Sequence, residues 1–419
     1  MKIKHAMAVA GFGGFYYDDQ AAIRKGAMQD GFIYLGKAIT KGYKSIRQPG
    51  EVVSIILVME DGRIAYGDCC AVTYSGVAGR EPLFTAEKYV PMIRRKVLPR
   101  LKGLNLSSFK NDAQAFDTMI IEGQRLHAAI RYGITQAILD AHACSSNLTM
   151  AEVIAKEYQL NASKREIPVL VQTGEERYMQ ADKAILKRAD ILPHGCFNTL
   201  KSIGTRGKKL MSYAVWLKKR ISEHAPSYLP TIHFDVYGTL GEAFAGNKKD
   251  IVQYLMKLEK CLQPYKVQIE YPVCTKTKEE QIQVTGELKD ILSDNNSNVK
   301  LIVDEWCNTI QDVKEFVDAK AMDIVHIKMP DLGGINNAIE AVTYCKRKGV
   351  FPYLGGSCNE TDQSARVSVH VALATSPLQM LAKPGMGVDE GLMIVRNEMA
   401  RALGILRLRS MQSDKRITC

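Results

Sequence analysis

Three carboxylates close apolar, strand-like segments and could bind a metal ion together. Asp235 ends "HFD", Glu270 ends "QIE" and Asp304 ends "IVD", at intervals of 35 and 34 residues. Each interval is about one strand–helix unit, so in a parallel barrel the three would lie on neighbouring strands at the carboxyl-terminal mouth. Carboxylates this close repel one another unless a cation neutralises them. Because Mg²⁺ prefers hard oxygen ligands, the spacing predicts a magnesium site.

Helix capping is the alternative explanation for each of these acids. A single acidic residue after a strand is more often the N-cap of the next helix than a metal ligand. Three acids at matching intervals, each after an apolar strand, are poorly explained as three separate caps. The set is therefore predicted to bind metal.

A histidine and a lysine share one face of the segment "VHIKMPDLGG". Apolar residues alternate there with His326 and Lys328, the period-2 pattern of a strand. An edge strand with one wet face would also explain the pair. However, Lys328 follows Asp304 by 24 residues, which fits the next strand end of a barrel. A lysine desolvated near a metal ion is expected to have a depressed pKa and to act as a base, the arrangement of the enolase superfamily.

The composition is that of an ordinary globular protein. The chain has 419 residues, of which 46% are hydrophobic and 24% charged, and its net charge is +11. Its basic residues are scattered, which argues against nucleic acid as a partner. None of the ten cysteines forms a C-x-x-C motif, so we expect reduced thiols and a cytoplasmic location. The longest apolar runs fall short of the roughly 18 residues of a membrane span, and the amino terminus does not resemble a signal peptide.

Residues 1–160 are predicted to form an α+β capping domain. Strand-like runs surround Asp61-Gly62, which reads as a hairpin turn. The segment 125–143 has helical periodicity, and Thr149 with Glu152 forms a capping box for a further helix.

Residues 161–419 are predicted to form a TIM-type barrel that carries the metal and the base. Short apolar strands alternate with amphipathic segments, and the number of units favours a barrel over a doubly wound sheet. The predicted strands are "IPVLVQTG", "TIHFDVYG", "KVQIEYP", "VKLIVDEWC", "DIVHIKMP", "VFPYLGG" and "QMLAKPG".

The sequence resembles the methylaspartate ammonia-lyase family of the enolase superfamily nearly end to end. The resemblance implies an enolase-like (β/α)₇β barrel with an amino-terminal α+β cap, a homodimer, Mg²⁺ as cofactor and K⁺ as monovalent activator. The motifs that carry it include "GFYYDDQ", "YSGVAGREPLF", "RYGITQAILDA", "HFDVYGT", "DEWCNT", "PDLGG", "GGSCNET" and "LAKPGMGVDEG".

The resemblance also implies a role for each matching residue. Lys328 matches the base that removes the C3 proton of (2S,3S)-3-methylaspartate. His194 matches a residue that contacts the metal-bound carboxylate and can act as base for the opposite C3 epimer. The remaining matches are the metal ligands Asp235, Glu270 and Asp304, the groups Gln172, Ser357 and Cys358 that hold the other carboxylate, and the apolar wall residue Leu381.

Two substrate-contacting positions depart from the family. His326 stands where the family has a glutamine near the substrate carboxylate, and Thr73 stands where it has a glutamine beside the amino group. Ser357 in place of a threonine keeps the hydroxyl. Since the metal ligands and the base are present, the chemistry is better predicted than the substrate.

The implied function is Mg-dependent, reversible elimination of ammonia from (2S,3S)-3-methylaspartate to give mesaconate. The alternative, raised by Thr73 and His326, is an enolase-superfamily lyase, dehydratase or epimerase acting on a different amino or hydroxy acid. A purely binding role is disfavoured, because neither the metal ligands nor Lys328 has been lost. The expected partner is a small amino-acid dicarboxylate, with no nucleic acid and no membrane.

Overall fold

The chain folds into an amino-terminal group of strands and helices followed by a closed barrel. The structure is a computed structural model that describes residues 1–417. The amino-terminal elements are β1 (Ile3–Asp18), α1 (Gln20–Arg24), β2 (Met28–Asp30), β3 (Ile33–Leu35), β4 (Arg47–Met59), β5 (Ile64–Cys69), α2 (Ala86–Met92), a π-helical turn (Ile93–Val97), α3 (Leu98–Leu101), α4 (Phe109–Asp117), β6 (Ile120–Ile121), β7 (Gln124–Arg125), α5 (Ala128–Ser146) and α6 (Met150–Tyr158).

An antiparallel sheet of order β1–β4–β5 forms the centre of this part. The predicted hairpin turn joins β4 to β5, where the Gly62 N–H donates to the Met59 carbonyl at 3.0 Å. Helix α5 packs against β5, and Gly67 faces Gly133 so closely that a Cβ on Gly67 would lie 2.2 Å from the Gly133 oxygen. Only glycine permits this approach of helix and strand.

The predicted capping box starts α6 as expected. The Thr149 side chain accepts from the Glu152 N–H at 3.2 Å, and the Thr149 N–H donates to the Glu152 carboxylate at 2.7 Å. After α6 the polar segment 161–166 contains no helix or strand. The barrel begins beyond it.

The barrel has eight parallel strands. In chain order its elements are β8 (Val169–Leu170), α7 (Arg177–Leu186), β9 (Ile191–His194), α8 (Leu200–Ile203), a 3₁₀ turn (Thr205–Gly207), α9 (Lys208–His224), β10 (Thr231–Asp235), α10 (Thr239–Ala243), α11 (Lys248–Leu262), β11 (Val267–Glu270), α12 (Lys278–Asp294), β12 (Lys300–Val303), α13 (Ile310–Asp318), β13 (Ile324–Lys328), α14 (Met329–Leu332), α15 (Ile335–Arg347), β14 (Phe351–Gly355), α16 (Asp362–Thr375), β15 (Gln379–Leu381) and α17 (Val388–Ile417).

Strand β15 pairs with β8 and closes the barrel. The predicted α/β architecture, a TIM-type barrel preceded by an α+β portion, is therefore confirmed. Strand β13 lies between β12 and β14, so the edge-strand interpretation of the His326–Lys328 pair is wrong. Both faces of this strand are covered, as is usual in a parallel barrel.

Two further expectations concern cysteines and membranes. The nine cysteines within the described residues are free thiols, and Cys419 lies outside the described residues. Across residues 1–417, every helix is too short or too polar to cross a lipid bilayer.

Candidate active site

One cavity at the carboxyl-terminal mouth of the barrel brings all the predicted site residues together. The amino-terminal part covers this mouth, so the cavity lies between the two parts of the chain. The predicted residues that line it are Thr73, Gln172, His194, Asp235, Glu270, Asp304, His326, Lys328, Ser357, Cys358 and Leu381. Lining residues that sequence reasoning missed include Phe15, Asp18, Arg47, Tyr74, Arg80, Tyr237 and Tyr353.

The three predicted metal ligands come from adjacent strand ends. Register pairs Asp235 directly with Glu270 on β10 and β11, and Asp304 follows the last residue of β12. All three side chains are buried. Burial, together with the negative charges of Glu270 and Asp304, raises the pKa of Asp235 well above its usual range. A divalent cation among these oxygens would relieve that penalty, so the donor set fits Mg²⁺.

The pKa values of Glu270 and Asp304 shift in the opposite direction, downward. Burial raises the pKa of Glu270, but the imidazoles of His326 and His233 outweigh burial and hold this pKa well below its usual value. Burial also raises the pKa of Asp304, but the charge of Lys328 and the imidazole of His326 outweigh burial. The pKa of Asp304 is therefore below its usual value. Both carboxylates are therefore held in the ionised form that a metal ligand requires.

Lys328 lies at the end of β13, beside Asp304. Its Nζ is 2.7 Å from Asp304 Oδ1 and 2.8 Å from Oδ2. Burial and the positive charge of Arg80 lower the pKa of Lys328, but the nearby carboxylates outweigh them and the net shift is upward. The acids that raise this pKa surround the ammonium: Asp304, Glu305 and Asp331. The depression of the pKa expected beside a bound metal ion stays a prediction.

His194 lies at the end of β9, beside Asp235. Its Nε2 lies 3.4 Å from Asp235 Oδ2, and its ring stacks on that of His233 with centroids 5.8 Å apart. Burial lowers the pKa of His194 to about 3. The imidazole is therefore neutral near pH 7.

His233 contacts the Glu270 carboxylate. Sequence reasoning did not predict this residue. Its Nε2 lies 2.7 Å from Glu270 Oε2, and its Nδ1 lies 3.0 Å from Gln268 Oε1. Gln268 Nε2 in turn donates to Gln379 Oε1 at 2.9 Å. Because His233 precedes Asp235 by two residues on β10, both point into the barrel. The two-residue spacing from Asp235 was the feature of the sequence that could have indicated His233 as a site residue.

Thr73 reaches the barrel from the amino-terminal part. Its Oγ1 lies 3.3 Å from Ser357 Oγ and 3.1 Å from Cys358 Sγ, and its N–H donates to Ser357 Oγ at 3.2 Å. Burial raises the pKa of Cys358 to about 11, so this thiol is a neutral hydrogen-bonding group. Thr73, Ser357 and Cys358 therefore form one connected polar wall.

A buried ion pair fixes the loop that carries this wall. Lys383 Nζ donates to both oxygens of Glu360, at 2.8 and 2.7 Å, and neither side chain is exposed. Tyr132 of α5 donates to Glu360 Oε1 at 2.6 Å, and the Ser357 N–H donates to Glu360 Oε2 at 2.8 Å. The loop is thereby attached to both parts of the chain.

Arg80 makes a second link between the two parts. Its Nε donates to Asp331 at 2.8 Å, its Nη2 contacts Glu305, and Nη2 lies 3.9 Å from Asp304 Oδ1. These acids follow β12 and β13, so Arg80 holds the two loops beside the predicted metal ligand and base. Its position in "YSGVAGREPLF" gave no indication of these distant partners.

Comparison with known proteins identifies the family. The model described as "Methylaspartate ammonia-lyase N-terminus" matches residues 1–159, and the one described as "Methylaspartate ammonia-lyase C-terminus" matches residues 161–408. Methylaspartate ammonia-lyase 2 of Carboxydothermus hydrogenoformans is 53% identical, over 98% of this chain and 99% of its own length.

Solved structures agree with this match. The Mg complex of β-methylaspartase from Clostridium tetanomorphum is 47% identical, with a TM-score of 0.93, over 98% of this chain and 100% of that one. The Citrobacter amalonaticus enzyme containing (2S,3S)-3-methylaspartic acid is 47% identical, with a TM-score of 0.95, over 97% and 100%. Muconate lactonizing enzyme from Pseudomonas fluorescens, 16% identical with a TM-score of 0.62, shares the fold alone. The chain belongs to the methylaspartate ammonia-lyase family, a family of carbon–nitrogen lyases.

Proposed function

We propose that this protein eliminates ammonia reversibly from (2S,3S)-3-methylaspartate to give mesaconate. The observation that carries the proposal is the convergence of three buried carboxylates and Lys328 in one cavity. Support also comes from the 47% identical Citrobacter amalonaticus enzyme, whose structure contains this amino acid.

Asp235, Glu270 and Asp304 would hold one Mg²⁺ in this cavity. The raised pKa of Asp235 supports this assignment, because these acids have more negative charge than the surrounding protein neutralises. When bound, Mg²⁺ supplies positive charge where negative charge accumulates on a substrate carboxylate. The residues described next carry out the remaining steps.

Lys328 takes the proton from C3 of the substrate. The electrons of the broken C–H bond form the C2–C3 double bond, the C2–N bond breaks, and ammonia leaves. For this step Lys328 has to be unprotonated, and its ammonium form is stabilised mainly by carboxylates such as Asp304. Because Lys328 shares Asp304 with the proposed ion, we expect its pKa to fall on metal binding.

The other cavity residues would position the substrate. His194, neutral through burial, takes the proton from the opposite C3 epimer. Thr73 would lie beside the amino group and His326 beside a carboxylate. Gln172, Ser357 and Cys358 would hold the second carboxylate, and Leu381 would form the apolar wall.

We also propose the remaining expectations from the sequence and from the resemblance. We expect K⁺ to act as a monovalent activator, two chains to form a homodimer, and the enzyme to work in the cytoplasm. We also expect residues 1–160 and 161–419 to behave as two domains, a cap and a barrel.

Metal removal and one substitution test the function directly. With Mg²⁺ present, purified protein should convert (2S,3S)-3-methylaspartate to a product whose new double bond is followed by ultraviolet absorbance. EDTA and the variant Asp304→Asn should each abolish turnover, because EDTA removes the ion and the variant removes one of its proposed carboxylate ligands. Either change takes away the positive charge that stabilises negative charge on the substrate carboxylate during the reaction. Asp294→Asn, an exposed position, is the matched control and should keep full activity. Full turnover in EDTA would exclude the metal-dependent mechanism.

Thr73 tests the alternative that the substrate has changed. Threonine is shorter than glutamine, so the pocket for nitrogen should accept methylamine in the reverse reaction. Thr73→Gln should improve use of 3-methylaspartate by about 1 kcal/mol, the scale of one regained hydrogen bond, and should reduce use of methylamine. Thr73→Ser keeps the hydroxyl and serves as control. An unchanged ratio of the two amines in Thr73→Gln would show that Thr73 does not set substrate choice.

A further inference from the structure

We propose that His326 supplies a nitrogen ligand to the divalent metal ion, so that the metal site contains both nitrogen and oxygen donors. This inference rests on the proposed function, which places the ion among Asp235, Glu270 and Asp304. It gives His326 a role at the metal in place of the substrate contact expected from the resemblance.

The Nδ1 atom of His326 faces two of the carboxylates at once. It lies 2.7 Å from Glu270 Oε1 and 3.4 Å from Asp304 Oδ1. A ring nitrogen of His326 and one oxygen from each acid all lie within 4.8 Å of one another. An ion that binds to both carboxylates therefore lies within reach of Nδ1.

The ring of His326 is fixed in this orientation. It stacks on Tyr353, with centroids 4.3 Å apart and planes inclined by 26°. Its Nε2 edge fills the space left by Gly355, where a Cβ would lie 1.8 Å from Nε2. Within residues 1–417, Nε2 has no hydrogen-bond partner. Nδ1, which faces the acids, is therefore the ring nitrogen that can bind a new partner.

Glu270 does not need His326 for its orientation. Its Oε2 is already bound by His233 at 2.7 Å, and His233 is held by Gln268. Ligating carboxylates are commonly fixed by a hydrogen bond of this kind. With that task performed by His233, Nδ1 of His326 can present its lone pair to a cation when the ring proton lies on Nε2, and can donate to Glu270 when the proton lies on Nδ1.

A nitrogen donor changes which ions the site prefers. Imidazole binds cobalt-, nickel- and zinc-type ions well, whereas Mg²⁺ favours carboxylate and water oxygens. The preference for Co²⁺ over Mg²⁺ should therefore be larger here than in the variant His326→Gln, which keeps a hydrogen-bonding side chain but removes the imidazole.

Pulsed electron paramagnetic resonance of the Mn²⁺-loaded full chain tests the ligand directly. The wild-type protein should show ¹⁴N coupling from a histidine, and His326→Gln should lose it. His194→Gln is the matched control, since it removes a different imidazole near the acids and should keep the coupling. Calorimetry with Co²⁺ and with Mg²⁺ should show that His326→Gln lowers Co²⁺ affinity by about tenfold or more, with a smaller change for Mg²⁺. His326→Asn provides the same measurements if the glutamine variant does not fold.

The outcomes separate this inference from the proposed function. Absence of ¹⁴N coupling in the wild-type protein, its survival in His326→Gln, or its loss in both variants would overturn the role of His326. Tight Mn²⁺ binding without such coupling would leave the carboxylate site intact. Failure of Mn²⁺ to bind, or equal binding by Asp304→Asn, would instead contradict the metal site on which the proposed function depends.

Discussion

Replacing Lys328 by alanine is expected to lower the rate of ammonia elimination by about 10²–10⁴-fold or more, the usual scale for loss of a general base. The reason is geometric: Lys328 Nζ lies 2.7 Å from Asp304 and lines the cavity that we propose holds the substrate. The variant should still bind substrate, because the metal ligands and the polar wall remain.

Exchange of the C3 proton with deuterium from solvent provides the sharper measurement, since it reports proton removal even when ammonia does not leave. Lys328→Ala should lose exchange with the (2S,3S) substrate, while exchange with the opposite C3 epimer, assigned to His194, should be reduced less. The exposed Lys102→Ala is the control. Near-normal exchange in Lys328→Ala would assign the base to another residue.

Among the substitutions proposed here, Lys383→Met is expected to lower the free energy of unfolding most. Lys383→Met leaves the carboxylate of Glu360 buried without its cation, and breaking such a pair by removing one partner costs about 3–5 kcal/mol. Tyr132 and the Ser357 N–H would still bind Glu360, but neither carries a charge. The urea concentration at half-unfolding, followed by circular dichroism, should fall clearly below that of the wild-type protein.

The double variant Lys383→Met/Glu360→Gln separates charge from packing. Since it removes both charges, it should unfold at a higher urea concentration than Lys383→Met alone. Lys102→Met is the surface control and should unfold like the wild-type protein. If Lys383→Met unfolds at the wild-type midpoint, the buried ion pair contributes no net stability.

The acids at the barrel mouth could be predicted because they repeat with the strand–helix unit. Asp235, Glu270 and Asp304 are far apart in sequence, yet each follows a strand, and the barrel converts equal spacing into adjacency. Lys328 could be predicted from the alternation of apolar and polar residues within β13. The structure places these residues, with the others expected from the resemblance, in one cavity, while their roles stay predictions.

Contacts between the two parts of the chain could not be predicted in this way. Arg80 meets Asp331 and Glu305, and Thr73 meets Cys358, through pairings that follow no period. The upward shift in the pKa of Lys328 was missed for the same reason, because it depends on charges brought together by loops. Periodicity predicts which strand carries a residue, but it does not predict which loops fold over it.

The pairing of β15 with β8 has a consequence for how the chain is made. Leu170 finds its partner Leu381 only after nearly the whole barrel segment has been synthesised. Since chains are synthesised at about 5–20 residues per second, roughly 10–40 s pass between the synthesis of β8 and that of β15. Until then one edge of β8 lacks its strand partner, and open strand edges promote aggregation. Chains that stop before residue 379 should therefore be recovered as aggregates, even though they contain every proposed metal ligand and Lys328.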